Sequence, residues 1–157
     1  MAARIFSELK KRGIEAACPE EHAKLLIWSG RPWLLDHQIV LLGKIYETLL
    51  NLRNKVDVII VDSPVLLCSV YAGNREGQPF HDLVRDLHKE PDRINLFVRR
   101  PHDRPYDPAN RREGAGAALE LDERINRALG EIGEVADVVS SEDDANDLAE
   151  NIIRLIR

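Results

Sequence analysis

Cysteine is scarce in this chain. Cys18 and Cys68 are the only thiols, and they stand far apart with no CxxC or zinc-type spacing. That excludes a disulfide framework and a cysteine-based metal site, and it fits a reducing, cytoplasmic setting. Long apolar runs are missing too. No stretch approaches the roughly 20 apolar residues that a membrane-spanning helix needs, so no membrane partner is expected. Positive charge is outweighed, with 22 Lys and Arg against 27 Asp and Glu for a formal net charge of -5. Such a balance argues against bulk nucleic acid or an anionic bilayer as the main partner. The five histidines form no i, i+4 pair around an acid and no Cys/His cluster, so a zinc site is not expected. Repeats and low-complexity tracts are absent as well.

What remains is an ordinary globular composition, 44% hydrophobic and 31% charged over 157 residues. One domain spanning 1–157 is the simplest organisation. Along it the hydrophobic period switches between helix and strand. "MAARIFSELKKRG" reads as a short helix with Ile5, Phe6 and Leu9 on one face and Gly13 as its C-terminal cap. "IEAAC" follows as a short strand, 20–29 as a helix broken by "SGRP", and 36–53 as a long helix. Further on, 71–79 is a loop and "FHDLVRDLHKE" a helix. "INLFVRR" at 94–100 is a strand, and "PHDRPYDPANRREG" a polar excursion. A helix over 117–129, a strand in "ADVVSS" and a final helix capped by Ser141 complete the chain. Trp28, Trp33 and Tyr46, at helical positions, are expected in the core. Strands alternating with helices predict an α/β fold around a parallel sheet.

Within that pattern "VDVIIVDSP", residues 56–64, is a β-branched run that stops on an acid. A run of this kind is the strand type covered on both faces in a parallel sheet, whose carboxyl end is where ligands bind. Asp62 then either presents a carboxylate to a magnesium ion or opens an Asx-type turn before Pro64.

The order of the segments resembles a family. "SELKKRGIEAACPEEHAKLLIWSGR", "DHQ", "VDVIIVDSPVLLCSVY" and "FVRRPHDRPYDPANRREGAGAALELDERI" together look like the P-loop nucleoside and nucleotide kinases. The closest likeness is to the phage-type AAA family ATPases or nucleotide-kinase-like proteins. The resemblance implies a three-layer P-loop NTPase-like α/β fold, a parallel sheet with helices on both faces. It also implies ATP and magnesium as cofactors and a nucleotide or other small molecule as substrate. Oligomer formation is left open. The family begins with a strand and a GxxxxGK[ST] loop, and this sequence contains no such motif, so that first strand is expected to be missing. Two strands, 57–62 and 94–99, are then expected to flank an open gap.

The resemblance assigns roles residue by residue. Asp62 would hold the magnesium ion, with Ser63 supporting it or only starting the turn. Glu21 would orient or deprotonate an acceptor hydroxyl, or else merely favour a helix N-terminus, with Glu20 as the alternative register. The stretch 101–116 resembles a lid whose Arg104 and Arg111 would descend on the transferring phosphate. Two functions are consistent with these roles. One is an incomplete ATP-dependent kinase or ATPase, whose complete form transfers or hydrolyses the terminal phosphate. The other is a non-catalytic relative acting as a binding or interaction protein.

Overall fold

The computed structural model describes residues 1–89, 93–98, 115–131, 137–139 and 145–156, the segments 115–118 and 137–139 by their backbone alone. Seven helices and four short strands lie within them: α1 (Ala2–Lys11), β1 (Ala16–Ala17), α2 (His22–Trp28), α3 (Gln38–Leu52), β2 (Val58–Ile59), α4 (Leu66–Ala72), α5 (Gln78–His88), β3 (Leu96–Val98), α6 (Ala115–Glu131), β4 (Asp137–Val139) and α7 (Ala145–Ile156). A 3-10 turn, Pro32–Asp36, joins α2 to α3. No helix among the described residues is long and apolar enough to cross a membrane.

The expected fold class is corrected by the strands. The described residues are mostly helical, and the strands form two separate parallel pairs, β1 with β2 and β3 with β4. A three-layer P-loop NTPase-like sheet is therefore not what this chain builds. The physical reason lies in the backbone. A strand inside a parallel sheet needs a hydrogen-bonded neighbour on each side, and β2 and β3 each have one. Regular pairing accordingly covers only Val58–Ile59 of the run 56–64, and Leu96–Val98 of the expected strand 94–100.

Local chemistry explains the helix ends. After α1 the chain turns at Gly13, with φ at 74°. The Gly13 amide donates to the Lys10 carbonyl at 3.1 Å, and Ile14 donates to Leu9 at 3.1 Å. This double bond is the Schellman closure, and its left-handed residue is glycine because a Cβ would be strained there. The same closure recurs at Gly30, with Arg31 donating to Leu26 at 2.9 Å, so "SG" ends α2 as its sequence suggests. α4 has no counterpart among the expected elements. Its residues, "LLCSVYA", lack a polar face by which periodicity could be recognised.

Two apolar clusters hold the elements. One gathers Leu41, Leu42 and Ile45 of α3 with Val65 before α4, Cys68 and Ala72 of α4, and Phe80 and Val84 of α5. The other sets Ile5 and Leu9 of α1 against Ala145, Ala149 and Ile153 of α7 and Ala16 of β1. Val58, Ile60 and Leu96 pack on its margin. Arg12 reinforces this second cluster at the surface: it pairs with Glu8 at 2.6 Å, hydrogen bonds to Asn146 and lies 3.8 Å from Glu150 of α7. The expected core aromatics are also corrected. Trp28 and Trp33 are 57% and 60% exposed, because α2 and the 3-10 turn bury no residue fully. Only Tyr46 is half-buried.

Leu9 is fully buried, so its side chain contributes roughly 1.5–3 kcal/mol by leaving water. Leu9→Ala should lower unfolding free energy by about 2–5 kcal/mol, read from a urea melt. A second expectation concerns alkali. Burial pushes the Cys68 thiol from its ordinary 9.0 up to about 12. The folded chain then keeps a proton that the unfolded chain releases near 9.0, so this contribution is intact below that pH and is lost as pH rises towards 12. Denaturation midpoints measured from pH 8 to 11 should fall, and Cys68→Ala should flatten that slope.

Candidate functional site at the carboxyl ends of the first strand pair

β1 and β2 run parallel, with Ala16 opposite Val58 and Ala17 opposite Ile59. Their carboxyl ends therefore emerge side by side. Cys18, Glu20 and Glu21 follow β1, and Asp62 and Ser63 follow β2. The register is fixed at its start by the Asp57 carboxylate, which accepts from the Glu15 amide at 3.1 Å. Backbone bonds continue it, Val58 donating to Glu15 at 3.2 Å and Ile60 to Ala17 at 2.8 Å.

Glu21 and Ser63, 42 positions apart, meet here: the Ser63 hydroxyl donates to Glu21 Oε1 at 2.9 Å. Glu21 occupies the N-cap position of α2, yet its side chain makes no capping bond. Its carboxylate is engaged across the two strands instead. Both residues are half-buried, whereas Glu20 and Asp62 are exposed. Cys18 lies in the same neighbourhood. Its thiol is pushed above the ordinary range, first by burial and then by the Asp62 carboxylate, while the Met1 ammonium acts in the opposite sense. Glu21, Ser63 and Asp62 are thus gathered at one end of one strand pair. Arg104 and Arg111, with the lid stretch 101–114, lie outside the described residues. Its last positions are corrected, since Ala115 already begins α6.

The arrangement can present carboxylates and a hydroxyl to a polar or cationic group. Among the described residues no group of three His, Cys, Asp or Glu side chains is placed to hold a metal ion. Asp62 is the acid nearest to that role by sequence, and it stands exposed at the strand end.

A second polar constellation was not legible in the sequence. Ser69 Oγ of α4 lies 2.6 Å from His81 Nδ1 of α5, and His81 Nε2 lies 2.9 Å from the Gly73 carbonyl. A carbonyl can only accept, so Nε2 carries the proton and Nδ1 accepts from Ser69. Arg124 of α6 donates to the Val70 carbonyl beside it. Serine and histidine so paired are the parts of a nucleophile and its base. Here they sit within helices, where their bonds tie the last turn of α4 to α5, and Arg124 serves the helix end by satisfying a terminal carbonyl. The only sequence signal was the pair itself, twelve positions apart and with no motif around it.

Comparison of the chain with protein-family models, curated proteins and solved structures gives no match.

Two measurements bear on this region. Asp62→Asn removes a carboxylate that holds a proton on Cys18, so alkylation of Cys18 by iodoacetamide at pH 8 should speed up, and an unchanged rate would separate the two groups. Ser69→Ala leaves His81 Nδ1 without its donor and should cost about 1–2 kcal/mol in a urea melt.

Proposed function

We infer that this chain is a non-catalytic interaction protein that binds an extended, apolar segment of another polypeptide between its two strand pairs. One observation carries the reading. Val58 and Ile60 of the β2 segment and Leu96 of β3 pack on the same α1–α7 cluster, yet β2 and β3 share no ladder. Two strands resting on one apolar layer without pairing leave their facing edges unsatisfied.

Strand geometry says which groups are involved. Backbone direction alternates along a strand, and the Val58 and Ile60 amides are turned towards β1. The amides of Ile59 and Val61 are therefore turned to the opposite edge. Ile94 and Val98 flank the β3 side, 43% and 47% exposed. An apolar edge with unspent donors and acceptors is a template for strand addition, in which main-chain bonds supply affinity and side-chain pockets supply selectivity.

A second reading is favoured by the Glu21–Ser63 pair, which would hold a small hydroxyl-bearing molecule at the strand ends. Titration with simple polyols and Glu21→Gln would test it.

Hydrogen exchange tests the main reading. In the free chain the Ile59 and Val61 amides should exchange much faster than those of Val58 and Ile60. A capped peptide of alternating valine and threonine flanked by lysines should slow them. Ile59→Pro deletes one edge donor without touching the bonds to β1, and should weaken the peptide by about tenfold. Full protection of Ile59 and Val61 in the free chain would mean that the edge is already covered, and the reading would fail.

A further inference from the structure

We propose that the segment accepted at this edge runs parallel to β2 and carries basic residues immediately after its apolar run. The proposal rests on the interaction reading above and adds the direction and chemistry of the partner.

Direction comes from the strands already present. Both pairs are parallel. Residues 58–61 of the β2 segment are all half-buried, with no polar position among them. A strand of that kind belongs where both faces are covered, which is the setting of parallel rather than one-sided antiparallel pairing. A parallel neighbour of β2 ends where β2 ends.

Charge then selects the residues that come after the partner's apolar run. At the carboxyl end of β2 stands Asp62, and at that of β1 stand Glu20 and Glu21, the latter brought to β2 by its bond from Ser63. Asp62 acts on Cys18, so its charge reaches across the strand ends, and the Met1 ammonium is the one positive group that acts on the same thiol. Three carboxylates against one ammonium leave this end negative. The opposite end of the pair is different in kind: Glu15 carries a salt bridge with Lys10 at 2.7 Å, and Asp57 is spent on the Glu15 amide. A parallel segment followed by lysine or arginine meets the open carboxylates, whereas the same segment laid antiparallel puts those cations at the compensated end. Complementary charge of this sort sets orientation and partner choice.

Fluorescence anisotropy with the full chain and three labelled peptides decides the matter. All share one run of alternating valine and threonine: the first is followed by lysines, the second is preceded by them, and the third is followed by glutamates. The first should bind about tenfold more tightly than the second and third, and added salt should erase the difference. The double variant Glu21→Gln with Asp62→Asn should bring all three together without abolishing binding. Equal affinity for all three in the unaltered chain would overturn the proposal and leave the interaction reading intact. Tighter binding of the second peptide would show antiparallel addition and also overturn it. If none of the three binds, and the Ile59 and Val61 amides are unmoved, the underlying reading falls together with the proposal.

Discussion

The hydrophobic contact between α1 and α7 is the constraint on which this structure depends. Leu9 and Ala149 are fully buried in it. A side chain as small as alanine at 149 allows close approach of the helices, and Ile5 and Ile153 fill the flanks. Every strand segment that packs on this cluster takes its place from the contact. β1 is delivered to it by the Gly13 closure, which lays Ile14 against the same cluster. β2 is positioned by β1 through Ala16 and Ala17, and β3 reaches it through Leu96. The strands are too short to organise themselves. Two hydrogen-bonded residues cannot hold a register, but a shared apolar support can.

The helices were more legible in the sequence than the sheet, for a physical reason. Ile5 and Leu9, or Leu41, Leu42 and Ile45, repeat at helical spacing, and one buried face is enough to define a helix. Gly13 and Gly30 mark their ends by a conformation that few other residues adopt. A sheet cannot be read that way. "VDVIIVDSP" announces a strand with two neighbours, but whether those neighbours exist is decided elsewhere in the chain. The tryptophans misled for a related reason. Periodicity puts Trp28 on a helix without saying whether anything lies opposite it, and Lys24 covers its ring at 4.8 Å in place of a packed neighbour.

The site divides along the same line. Glu21, Ser63 and Asp62 were marked by their positions after apolar runs, and a parallel pair brings such positions together as a matter of geometry. That Ser63 would engage Glu21, rather than Asp62 or its own turn, is a matter of two side chains 42 positions apart and has no local signature. The Ser69–His81 tie is of the same sort. Chemistry that depends on where a chain begins a strand can be anticipated; chemistry that depends on which helix faces which cannot.

The two clusters differ in how far along the chain their members lie. The α3–α5 cluster is assembled from residues 41 to 84, all close neighbours in order. The α1–α7 cluster joins residues 5 to 16 with residues 145 to 153. During synthesis, which proceeds from the first residue onward, the former can close while the chain is still growing. The latter cannot, because its second half has not yet been made. Throughout that interval Ile5, Leu9 and the strand segments resting beside them have no lid of their own. The ribosome-bound chain must carry this apolar surface until α7 is released, and that is the stage at which a holding chaperone would find most to grip.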